Sequence, residues 1–79
     1  MDVKQFVKER DAALLSLDRE IIEAFAKKWQ VVLPKDSEVF WAAIHKARTG
    51  AVNLPREARL ESKLWLLGKG LHALDDGDL

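Results

Sequence analysis

The chain has 79 residues, 13 of them basic and 13 acidic, and no cysteine. A chain this short buries only roughly 60–65% of its unfolded surface, which predicts one domain with an economical core. The missing cysteine excludes disulfides, thiolate zinc sites and cysteine nucleophiles, and the zero net charge withholds the basic excess usual in nucleic-acid domains.

The hydrophobic share of 48%, with three Trp and three Phe, is enough for a folded core and argues against disorder. The N-terminus carries Asp2, Lys4, Lys8, Glu9 and Arg10, too charged for a signal peptide. Apolar runs such as Leu64 to Leu67 fall far short of the roughly 20 residues that span a bilayer. The expectation is a cytoplasmic chain with no membrane segment. Charge is unevenly spread: between Lys46 and Lys69, the basic residues Lys46, Arg48, Arg56, Arg59, Lys63 and Lys69 face only Glu57 and Glu61, whereas the stretch from Asp11 to Glu23 is acidic and the tail adds Asp75, Asp76 and Asp78. The molecule is expected to be an electrostatic dipole.

In chain order, the first helix is predicted from about Asp2 to Leu15, with Val3, Phe6, Val7 and Leu14 at helical spacing. Ser16 or Asp18 serves as the next N-cap, and Ile21, Ile22, Phe25 and Trp29 form the apolar stripe of a second helix to about Gln30. Lys27 and Lys28 complement the negative end of that helix. Val31, Val32 and Leu33 lead into Pro34, which pushes the preceding backbone away from α geometry, so this is an extended connector.

Asp36 or Ser37 caps a third helix to about Thr49, with Val39, Phe40, Ala43, Ile44 and Ala47 as its core stripe and Gly50 in the place of a left-handed C-terminal cap. After a loop from Ala51 to Leu54, Asn53 is the expected N-cap and Pro55 the first-turn residue of a fourth helix to about Leu67. Leu60, Leu64 and Leu67 repeat in heptad fashion, and Leu71 falls on a cap. The fold class is therefore all-α, a small single-domain bundle of about four helices over residues 1–74, with an acidic flexible tail over 75–79.

Candidate sites follow from residue type. Trp41, His45 and Arg48 share one side of the third helix, and Trp and Arg dominate binding hot spots. With Trp65, they are the candidate partner-binding residues; the alternative is helix packing by Trp41 with His45 and Arg48 as flanking polar groups. Trp65 lies to one side of the leucine seam, near Ala58 and Ser62, and is expected either inside the chain or at an interface. Arg56, Arg59 and Lys63 form a basic flank suited to phosphates, although Glu57 and Glu61 on the opposite flank fit an ordinary solvated helix. The break from Thr49 to Leu54 is too long for a helix-turn-helix.

Catalytic signatures are lacking: two histidines, serines at caps or on a helix surface, no phosphate loop and no paired-carboxylate motif. His72 with Asp75 and Asp76 has the one metal-like spacing, and it lies in the expected tail. No catalytic residue, cofactor or metal site is expected.

The stretches Phe6-Val7 with Arg10-Asp11, Leu15 to Asp18, Val39 to Ala43 through His45-Lys46-Ala47, Thr49-Gly50, Leu54-Pro55 and Ser62-Lys63 with Trp65-Leu66 resemble a group of short, uncharacterised helical proteins encoded in bacterial genomes and their prophages. The resemblance spans most of residues 3–67. It implies a bacterial or phage setting and an accessory role, and carries over no functional residue.

The leading expectation for function is protein–protein binding, in regulation or counter-defence, through the aromatic and basic helical face. The alternatives are a nucleic-acid-binding module using the basic flank, and a self-assembling structural protein that dimerises through Leu60, Leu64 and Leu67.

Overall fold

The computed structural model describes residues 2–71. The described residues form four helices: α1 (Val3–Ser16), α2 (Arg19–Trp29), α3 (Ser37–Gly50) and α4 (Arg56–Gly68). There is no strand among the described residues, so the all-α expectation holds. No helix of the described residues is long and apolar enough to cross a membrane. Two compact units meet in sequence at Leu33/Pro34, one built on α1 and α2 and the other on α3 and α4. The acidic tail and the His72–Asp75–Asp76 spacing lie outside the described residues.

In the first unit, aspartates start both helices. Asp2 accepts from the amides of Lys4 and Gln5, and Asp18 from those of Glu20 and Ile21, each satisfying donors that the first helical turn leaves unpaired. Of the two caps expected before α2, Asp18 is the one used; Ser16 instead donates to the Ala13 carbonyl and accepts from the Asp18 amide. Both helices end on a residue in the left-handed region, Leu17 (φ 52°) and Gln30 (φ 57°). Ala13, Leu14, Ile22 and Ala26 are buried. Phe6 lies against Phe25 and Trp29, with ring centroids 5.4 and 5.2 Å apart. Glu9 accepts from Lys28 Nζ at 2.8 and 2.9 Å and from Trp29 Nε1 at 3.2 Å, tying α1 to the last turn of α2.

In the second unit, Asp36 caps α3 by accepting from the Val39 amide. Phe40, Ile44, His45, Arg48 and Thr49 are the buried residues of α3. Two caps differ from expectation. Gly50 is the last helical residue, and the cap is Ala51, whose φ of −86° is not left-handed. Pro55, not Asn53, is the N-cap of α4; it offers no side-chain bond, and its carbonyl receives the amides of Ala58 and Arg59. Burial explains both: Ala51 and Leu54 are each about 95% withdrawn from solvent, and the Leu54 amide bonds the Ala51 carbonyl at 2.9 Å. The loop is thus fixed by its apolar side chains rather than by polar caps.

α4 ends in a Schellman motif. The Gly70 amide reaches the Leu67 carbonyl, the Leu71 amide reaches the Leu66 carbonyl at 2.9 Å, and Gly70 takes φ 73°, a conformation glycine adopts without steric cost. Leu71 is therefore on the cap, as Gly68 and Gly70 before it predict.

Spacing leaves open which side of α4 is buried. Ser62 and Leu66 are withdrawn from solvent, whereas Leu60, Leu64 and Leu67 remain 46%, 59% and 57% exposed. A leucine face turned toward α3 would leave the polar atoms of His45 and Arg48 without partners, at a cost of a few kcal/mol each. The face bearing Ser62 supplies a hydroxyl instead. On α3 the stripe is displaced in the same sense: Phe40 and Ile44 are buried, while Val39 and Ala43 are exposed.

Candidate protein-binding surface and its buried support

The four residues expected to meet a partner gather around His45, but two of them point inward. His45 and Arg48 are 6% and 2% exposed. Arg48 Nη1 donates to Ser62 Oγ at 2.9 Å and to Glu61 Oε1 at 3.1 Å, and His45 Nδ1 lies 2.9 Å from the same Ser62 oxygen. Arginine can only donate, so Ser62 spends a lone pair on Arg48 and retains its own proton for Nδ1. The arrangement that uses every group has a neutral imidazole accepting through Nδ1. Burial, and then the charge of Arg48, hold the His45 pKa below its ordinary value of 6.5, while Glu61 works against them.

The His45 ring stacks on Trp65, centroid to centroid 4.2 Å at 17°, and stands 6.4 Å from the Trp41 ring, which packs edge-on against Phe40 at 4.9 Å. Trp41 and Trp65 are half-buried, and Lys69 Nζ lies 5.6 Å from the Trp65 ring centre. The expectation that His45 and Arg48 supply polar contacts to a partner is therefore corrected. Both are engaged with α4 of their own unit, where they act as a clasp between α3 and α4. They are not the flanking polar groups of the bland alternative either.

Two members of the clasp escape a reading of the sequence alone. Ser62, expected on the helix surface, is fully buried, and Glu61 holds the buried guanidinium from the outside, with 63% of its own side chain exposed. The available signal was the run Ala58, Ser62 and Leu66 at i, i+4 and i+8, a second face of α4 with small residues and room for a neighbour. Of the basic flank, Arg56 is exposed while Arg59 and Lys63 are half-buried.

The surface that the clasp leaves open lies on the other side of α3. Val39, Ala42, Ala43 and Lys46 of α3, with Leu66, Gly70 and Leu71, line an open groove of about 410 Å³. Its floor is Leu66, and its walls include Val39 and Leu71, 54% and 40% exposed. Lys46 is the charged residue on its edge. No group of three or more metal-ligating side chains occurs among the described residues. No family model, no curated protein and no solved structure matches the chain.

Proposed function

We propose that the chain is a small accessory protein of the phage or prophage kind that acts by binding another protein. The observation that carries this reading is the apolar groove between α3 and the end of α4, with exposed Val39, Ala43 and Leu71 on its walls. An open apolar groove between helices fits the apolar side of a partner's helix, laid in at helical spacing. Lys46 on the edge selects an occupant with a carboxylate beside its apolar residues, so the partner is an amphipathic, acidic helix of another protein. The clasp of Arg48, Ser62 and His45 contributes by holding α3 and α4 at the spacing the groove requires. Binding, rather than chemistry, is the mode of action.

The test places a photo-crosslinking benzophenone side chain at Val39, identifies the captured protein, and measures its affinity in purified form. Ala43→Glu is expected to abolish binding and Lys46→Glu to weaken it about tenfold, a change of about 1.4 kcal/mol, with helicity unchanged because both positions face solvent. Equal affinity for wild type and Ala43→Glu overturns the reading.

A further inference from the structure

We infer that the outer side of α4 pairs with α4 of a second copy of this chain, the two helices running parallel. Leu60, Leu64 and Leu67 are spaced by four and three residues, as along a coiled-coil seam, and each is roughly half exposed. At 100° per residue the centre of this stripe lies roughly 150° from the direction of Ser62 and Leu66, which face α3.

Charge decides what covers the stripe. Arg56 and Lys63 fall on one flank of the leucines and Glu61 on the other, while Glu57 lies one heptad before Leu64 on the exposed first turn of α4. Two copies related by an axis along the helices set each basic flank against an acidic one. An axis across the helices gives an antiparallel pair and sets like against like. Along the leucines the flanking charges therefore complement one another in the parallel sense and not in the antiparallel one. With Leu60 and Leu67 at d and Leu64 at a, Arg56 is a g residue and Glu61 the e residue five positions on, the pair that meets across a parallel seam. Three leucines from each copy give less than the roughly 800 Å² per partner of a standard interface. The dimer is accordingly weak and forms as concentration rises from micromolar to millimolar. It leaves the groove of the proposed function open, so neither proposal depends on the other.

Sedimentation velocity over that concentration range tests the pairing, with the wild type expected to move from monomer to dimer and Leu64→Glu to weaken association about tenfold or more. The chain has no cysteine, so orientation is read by oxidising single-cysteine variants. A parallel pair links Leu60→Cys to itself, whereas an antiparallel pair links Leu60→Cys to Leu67→Cys in a mixture of the two. A wild type that stays monomeric throughout, or a dimer that Leu64→Glu leaves intact, overturns the proposal, as does a predominance of the mixed disulfide. Should Leu64→Glu lose helicity, the crosslinking pattern decides alone.

Discussion

The imidazole of His45 lies flat against the indole of Trp65, 4.2 Å away, with Ser62 at its Nδ1 and the Arg48 guanidinium on the same hydroxyl. A proton added to this ring would sit in a buried site beside a fixed positive charge. Its folded-state pKa is held below the ordinary 6.5, by burial first and by Arg48 second, so the unfolded chain takes up the proton before the folded one does. Stability that depends on a neutral His45 is intact above pH 6.5 and is lost as the pH falls below it, with a slope of at most about 1.4 kcal/mol per pH unit. Urea titrations between pH 7.5 and pH 5 should show this decline, and His45→Phe, which keeps a ring against Trp65, should flatten it. A wild-type stability that is level across the window contradicts the buried, neutral ring. Glu9 titrates in a separate range: hydrogen bonds from Lys28 first, then Gln5 and Trp29, hold its carboxyl down to about 2, so its contribution is present above pH 4.5 and is lost only between there and pH 2.

Glu61 looks like a surface carboxylate and is expected to behave otherwise. Most of its side chain is in solvent, yet it is the anionic partner of an Arg48 side chain that is only 3% exposed. Arg48 Nε has no hydrogen-bond partner, so the guanidinium has little in reserve. Removing an exposed half of an ordinary ion pair costs well under 1 kcal/mol, whereas leaving a buried charge without its counterion costs more. Glu61→Ala is expected to lower the unfolding free energy by about 1–2 kcal/mol, and Glu57→Ala, one turn earlier on the exposed surface, by less than about 0.5 kcal/mol. Equal effects would mean that the pair contributes nothing beyond a surface contact.

Gln30 ends α2 with φ 57°, where any side chain with a Cβ is strained. The residue is exposed, so replacing it removes no core contact. Gln30→Gly is expected to stabilise the chain by about 0.5–1 kcal/mol, because glycine fits the left-handed cap better than it costs in the unfolded chain. Thermal unfolding checks this: a raised midpoint agrees, and a lowered one shows that the cap is not left-handed in solution.

Much of the fold is legible in the residues. Asp2, Asp18 and Asp36 mark three helix starts because a short carboxylate can reach the free amides of the next turn, and Gly70 with Leu71 marks the end of α4. The division at Leu33/Pro34 coincides with the proline that ends the extended connector. The errors share one cause. Spacing alone gives α4 two apolar faces, the leucine stripe and the face of Ala58, Ser62, Trp65 and Leu66, and does not say which of them meets α3. What settles the matter is a long-range demand: His45 and Arg48 of α3 require a polar partner, and Ser62 and Glu61 provide it. For the same reason His45 and Arg48 read as surface groups in isolation, since nothing within α3 shows that another helix carries their acceptor. The loop misled for a related reason: Asn53 has the cap chemistry, but burial of Ala51 and Leu54 sets the backbone.

The inward-facing clasp is the claim on which the placement of the binding groove rests, and a double-mutant cycle on Arg48 and Ser62 tests it most directly. Arg48→Met keeps the volume of the side chain and Ser62→Ala removes the hydroxyl. With Arg48 present, Ser62→Ala strands a donor of a buried guanidinium; in the Arg48→Met background only the bond to His45 is lost. Unfolding in urea should give a coupling energy of about 1–2 kcal/mol between the two sites. Additive effects, with coupling below about 0.3 kcal/mol, would place Arg48 in solvent and contradict the clasp.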